Sequence, residues 1–164
     1  MSENINILTS EAIELLKEMI AIPSPSFHEE AVCTHISNWL TSKGIEHERV
    51  GNNIIAEHIV DVTRPTLMLC AHIDTVDPCE GYSFDPYKPE NSPEGVIQGL
   101  GSNDDGASVV SMIAAYRHLT FGCNVDCSFQ NRATPLAAGG GARGEAVGGV
   151  VLKRTNLTLV LSCE

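Results

Sequence analysis

Apolar residues fall into helical and extended rhythms along this chain. Between residues 11 and 20, Ala12, Ile13, Leu15, Leu16, Met19 and Ile20 share one helical face, and Ser10 stands where an N-cap would. Ile22-Pro23-Ser24-Pro25 ends that helix, because each proline removes a donor and biases its predecessor to extended geometry. Ser26-Phe27-His28-Glu29 reads as a capping box for a second helix. That helix runs to about Lys43, stops at Gly44, and buries Val32, Ile36, Trp39 and Leu40.

Extended segments are predicted near residues 45–60 and 65–71, with a turn at Asn52-Asn53. Pro78, Pro86, Pro89 and Pro93 mark residues 77–94 as a loop. Val96-Ile97 reads as a short strand entering Gly99-Leu100-Gly101-Ser102-Asn103-Asp104-Asp105-Gly106. A helix from about Ala107 to Leu119 follows, with Val109, Val110, Ile113 and Ala114 inward. Residues 120–155 carry neither period, include Gly139-Gly140-Gly141, and read as a disordered, atypical segment. Such a stretch is what an altered reading frame or a wrongly joined gene would produce. Asn156 to Cys163 reads as a buried core strand.

Helices alternating with apolar strands indicate an α/β fold. The expectation is a three-layer sandwich with a mostly parallel central sheet. Residues 1–119 and 156–164 would belong to one layered domain, with 120–155 foreign to both flanks.

The chemistry starts at Leu67-Met68-Leu69-Cys70-Ala71, an apolar run that reads as a fully buried strand and ends in His72-Ile73-Asp74. A period of two puts His72 and Asp74 on one face, just past the strand's carboxyl end. Open α/β sheets bind ligands there, and imidazole with carboxylate suits a divalent metal such as zinc. Downstream, Gly99-x-Gly101-x-x-Asp104 departs from a dinucleotide fingerprint at its sixth position, where an aspartate would repel a pyrophosphate. The better reading is a tight glycine turn that places Asp104 at a helix start. Asp105 competes for that role, and both aspartates acting as simple caps is the plain alternative.

Composition narrows the classes. The 164 residues are 43% hydrophobic with a formal charge of −11 and a pI near 4.8, which argues against a nucleic-acid partner. No segment approaches a membrane span, and Met1-Ser2-Glu3-Asn4 lacks signal-peptide features, so a cytoplasmic location with no membrane partner is expected. The six cysteines are scattered, and Cys123-x3-Cys127 has no second ligand pair, so neither disulfides nor a zinc finger is expected. His28, His35, His47, His58 and His118 lack a carboxylate motif and read as surface or helix-face residues.

Ala71-His72-Ile73-Asp74-Thr75-Val76 followed by Gly99-Leu100-Gly101-Ser102-Asn103-Asp104 resembles the two-zinc aminoacylase and exopeptidase family. That family includes acetylornithine deacetylase, succinyl-diaminopimelate desuccinylase, aminoacylase and carboxypeptidase G. Ile22-Pro23-Ser24-Pro25-Ser26, Glu29-Glu30 and Gly51-Asn52-Asn53-Ile54 are similar to its opening. Asn103-Asp104 followed by Gly106-Ala107-Ser108-Val109-Val110 looks closest to the acetylornithine deacetylase-like branch, and hence to arginine biosynthesis.

The resemblance implies a metal-dependent amidohydrolase or metallopeptidase that cleaves N-acyl amino acids or small peptides through a zinc-activated water. It implies His72 as a zinc ligand, Asp104 as the carboxylate bridging two metals, and Asp74 as the catalytic carboxylate that orients His72. The cofactor would be zinc, two per complete site, with cobalt possible. Glu164 would be the general base or the acidic residue just before it. The remaining ligands would lie beyond residue 164, so a catalytically incomplete fragment is the alternative, as is a dipeptidase or tripeptidase of the same family. A homodimer is expected only for the complete enzyme.

Overall fold

The structure is a computed structural model, and it describes residues 4–122, 127–129, 150–152 and 156–162. Helix α1 spans Ile5–Ile20, α2 Glu30–Ser42 and α3 Ala107–Arg117. The strands are β1 (Glu48–Val50), β2 (Asn53–His58), β3 (Thr66–His72), β4 (Cys127–Phe129), β5 (Val150–Leu152) and β6 (Asn156–Ser162).

Four strands form one sheet in the order β1-β2-β6-β3. The α/β class holds, but the expected parallel sheet does not. Pairs β1–β2 and β2–β6 are antiparallel, and only β3–β6 is parallel, with Leu67 opposite Leu157 and His72 opposite Ser162. Connection length explains this. Residues 59–65 are too few for a crossover, so β3 must run opposite to β2. The long path from β3 through α3 returns β6 between them, parallel to β3. Within the stretch expected to be disordered, β4 and β5 pair antiparallel; a π-type turn over His118–Gly122 takes the place of the last residues of the helix expected to reach Leu119 and leads into that stretch. The remainder of that expectation lies outside the described residues.

All three helices contribute to one core against one face of the sheet. Leu15, Leu16 and Ile20 of α1, Val32, Ile36 and Leu40 of α2, and Val109 and Ile113 of α3 meet Ile54, Ala56, Ala71, Leu157, Leu159 and Leu161. Strand β3 is therefore buried on one side only. Leu67, Leu69 and Ala71 face the core, while Met68 is 62% exposed and Cys70 is exposed. Among the described residues the run expected to be buried is an edge strand.

Local boundaries moved for physical reasons. Helix α1 begins at Ile5 because Asn4 caps it, its Oδ1 accepting from Asn6 N at 2.9 Å; Ser10 instead donates to Asn6 O within the helix. Leu8 joins the buried face, and Ile13 stays 39% exposed. Val96-Ile97 is loop, not strand. The turn before β2 and the stop at Gly44 agree with expectation, with Gly51 at φ +63 and Gly44 at φ +71.

At the amino end of β6, the buried Asn156 ties the β2–β3 connection to the sheet. Its Oδ1 accepts from Val60 N and Asp61 N at 2.9 and 3.1 Å, and its Nδ2 donates to the carbonyls of Asp61 and Arg64 at 2.8 and 3.2 Å. On the helical side, Glu11 of α1 accepts from Lys43 at 2.6 Å and from Arg117, and both cations lie over the Trp39 ring. This cluster ties the carboxyl ends of α2 and α3 to the middle of α1.

Candidate metal centre

The site assembles where β3 ends. His72 closes the strand, Ile73 N donates to Ser162 O at 3.0 Å, and the chain then turns away from the sheet. Leaving the ladder frees the two side chains to converge, as their spacing suggested. His72 Nδ1 lies 3.2 Å from both the Asp74 carbonyl oxygen and Asp74 Oδ1. Its other nitrogen, Nε2, lies 3.0 Å from Asp104 Oδ1. Asp74 is buried, whereas the Asp104 side chain is 92% exposed. The three residues predicted for the site are thus together.

Asp104 reaches this point through the glycine turn. Gly101 adopts φ +73, and a Cβ there would sit 2.6 Å from Thr75 Cγ2. At Gly106 a Cβ would meet the Gly101 carbonyl oxygen at 2.6 Å and Leu16 Cδ1 at 2.8 Å. Only glycine lets this loop pack against both α1 and the residue after Asp74. The turn Ser102–Gly106 is π-type, and Asp104 (φ −120, ψ 93) and Asp105 lie outside helical geometry within it. Neither caps α3 through its side chain, which removes the plain capping alternative. The Asp104–Asp105 peptide bond is cis.

Ser26 is the residue that sequence reasoning misassigned. It does not cap α2, which starts at Glu30 without a side-chain cap. Its Oγ donates to Asp74 Oδ2 at 2.6 Å. Backbone bonds bring it there: Thr75 N donates to Ser24 O at 2.8 Å and Ser26 N to Thr75 O at 3.1 Å, forming a short parallel bridge. Serine followed three residues later by glutamate fits a capping box equally well, so the sequence held no signal that could separate the roles.

The electrostatics favour a cationic group at this corner. Burial by itself would lower the His72 pKa. The bonds to Asp104 and the Asp74 carbonyl, with the charges of Asp74 and Asp105, outweigh it and hold His72 above its ordinary value. Both ring nitrogens face acceptors, so the metal-free ring is satisfied only as imidazolium. A divalent ion is the other species that would suit Nε2 and Asp104 Oδ1 together, with Asp74 keeping the proton on Nδ1. The chemistry of these donors fits a hard-to-borderline cation such as zinc. Among the described residues no three histidine, cysteine, aspartate or glutamate side chains are placed to hold one metal ion, so His72 and Asp104 would supply part of a coordination shell. Glu164 lies outside the described residues.

Comparison with known proteins shows what the chain is similar to. The cytosol non-specific dipeptidase of Escherichia coli K12 is 30% identical over 126 residues, covering 70% of this chain and 26% of that protein. The succinyl-diaminopimelate desuccinylase of Wolinella succinogenes is 31% identical over 106 residues, covering 63% and 28%. The YXEP protein of Bacillus subtilis, described as a dinuclear metal-binding peptidase of the M20 family, superposes with a TM-score of 0.58 at 15% identity over 96% of this chain and 36% of its own. Relatives and fold neighbours are M20-family metallopeptidases. No family model matches the chain. The chain spans about a quarter of the length of the curated relatives it matches. The M20 likeness covers the layered fold that carries His72, Asp74 and Asp104. Among the described residues no helix is long and apolar enough to cross a membrane.

Proposed function

We propose that this chain is the amino-terminal part of an M20-type metal-dependent hydrolase that cleaves the amide bond of small peptides or N-acyl amino acids. The observation that carries the reading is the convergence of His72 Nε2 and Asp104 Oδ1 at 3.0 Å, at the carboxyl end of β3, with Asp74 behind the ring. In this reading His72 and Asp104 would hold metal, Asp104 serving both ions of a complete site, and Asp74 would keep the imidazole in one tautomer and raise its basicity. The ions would be zinc, with cobalt the alternative. When bound they would lower the pKa of a shared water and polarise the substrate carbonyl.

Short peptides rank first as substrates, because a dipeptidase and carboxypeptidases stand among the relatives. N-Acetylornithine, and with it a place in arginine biosynthesis, rests on the Asn103-Asp104 context alone. A cytoplasmic location and a homodimer of the complete enzyme accompany the reading.

A second reading is favoured by the two-residue donor set: the 164-residue chain by itself is catalytically incomplete. Glu164, as base or as the residue before it, belongs to the same proposal. Metal analysis joined to a hydrolysis panel of dipeptides, N-acetylornithine and N-succinyl amino acids tests both. The panel is run on this chain and on the protein extended to its relatives' length. Chelator-sensitive hydrolysis by the extended protein is expected. A metal-loaded extended protein that cleaves no amide would refute the function, and turnover by the 164-residue chain alone would refute the incomplete-fragment reading.

A further inference from the structure

Glu29, the N-cap residue of α2, is only 2% exposed, yet its side chain makes no capping hydrogen bond and reaches neither His72 nor Asp104. Its two carboxylate oxygens are used separately. Oε1 accepts from the backbone N–H of Phe27, and Oε2 accepts from Asn52 Nδ2 at 3.0 Å. Asn52 lies in the β1–β2 turn, distant in sequence from both the loop and the site.

The Phe27 N–H belongs to a turn with an unusual demand. His28 N donates to Pro25 O at 2.8 Å, and Phe27 at its third position has φ +72, a conformation that ordinarily calls for glycine. An L-residue there is strained, because its Cβ crowds the following carbonyl oxygen. The Phe27 side chain is 83% exposed and offers little packing to offset that strain, so the Glu29 carboxylate is the side-chain restraint on the turn, beside the backbone bridge to Thr75. Ser26 is the turn's second residue, and its Oγ is the group that holds Asp74 Oδ2.

We propose that Glu29 and Asn52 are positioning residues for the metal corner: their buried hydrogen bonds hold the Pro25–His28 turn, the turn holds Ser26 against Asp74, and Asp74 orients the His72 ring. The inference rests on the His72–Asp74 corner being the reactive one. Its test reads ring geometry in the metal-free chain, so it can fail independently of the hydrolase reading.

The probe is the His72 ring, followed by long-range proton–nitrogen correlation above its titration, where the ratio of the two neutral tautomers is measured. In the wild-type chain the tautomer with the proton on Nδ1 should dominate, because Asp74 is the buried acceptor and Asp104 the solvated one. Ser26→Ala, Glu29→Leu and Asn52→Ala should each lower that ratio by about two- to tenfold, the effect of one lost hydrogen bond. Backbone amide signals of β6 and α3 should stay in place. Glu29→Gln still accepts from the Phe27 N–H and can donate to the Asn52 carbonyl once that amide turns over, so it should keep the wild-type ratio. An unchanged ratio in the folded Leu and Ala variants overturns the proposal, and so does a loss in Glu29→Gln as large as that in Glu29→Leu. If Glu29→Leu does not fold, Asn52→Ala decides alone, since it leaves the Glu29–Phe27 bond intact.

Discussion

Replacing Gly101 by alanine separates the two demands that the glycine turn places on residue 101. The first is conformational: with φ +73, any Cβ costs roughly 1–2 kcal/mol. The second is spatial, because the new Cβ would lie 2.6 Å from Thr75 Cγ2, far inside contact distance. Thr75 cannot retreat freely, since its N–H is bonded to Ser24 O and its carbonyl to Ser26 N. Forced overpacking of this kind costs about 1–3 kcal/mol. Gly101→Ala should therefore destabilise by about 2–5 kcal/mol. Gly95, at φ +76 with nothing within 4 Å of its Cβ position, is the matched control. Gly95→Ala should lose only the conformational part, about 1–2 kcal/mol. Urea unfolding of both variants gives the comparison from the shift in midpoint at constant slope. Equal losses in the two variants would refute the claim that the turn is seated against Thr75.

Other consequences are simpler to read. In the metal-free chain His72 should titrate above the ordinary histidine value in NMR. Because its folded pKa is raised, its stabilising contribution is complete below the unfolded value of about 6.5 and is lost as pH rises through the folded value. Metal binding requires the neutral ring, so zinc affinity should climb with pH until that raised pKa is passed; flat affinity from pH 5 to about 8 would contradict this. Glu11→Gln should destabilise by about 1–3 kcal/mol in urea unfolding, because it removes the carboxylate charge to which both Lys43 and the buried Arg117 donate; a loss under about 0.5 kcal/mol would argue against the cluster. Asn156→Ala should cost about 2–3 kcal/mol, the sum of its four bonds less what water restores at the exposed loop, with amide protection lost first at Val60 and Asp61 in hydrogen exchange.

Helix faces and strand positions were legible because burial imposes a period, and Val32, Ile36, Leu40, Val109 and Ile113 all point inward as that period requires. The pairing of His72 with Asp104 was legible from two motifs and their resemblance to a known pattern. Strand direction was not, since apolar runs read alike in parallel and antiparallel sheets; the brevity of residues 59–65 was the overlooked cue. Burial on both faces of β3 failed for a related reason: period-two packing against a single helical layer leaves Met68 and Cys70 outward. The residues that hold the corner, Ser26, Glu29 and Asn52, were invisible because their bonds join segments distant in sequence, and each also fits an ordinary local role as cap or turn former.

The central claim is that His72 and Asp104 together receive a divalent cation. Zinc titration of the 164-residue chain, followed at the His72 ring nitrogens by NMR, tests it most directly, because even weak coordination is seen at the atom concerned. The account predicts that zinc perturbs Nε2 specifically while Nδ1 keeps its proton toward Asp74, and that Asp104→Ala weakens binding at least about tenfold. A His72 ring left unmoved at millimolar zinc, or coordination through Nδ1, would contradict it.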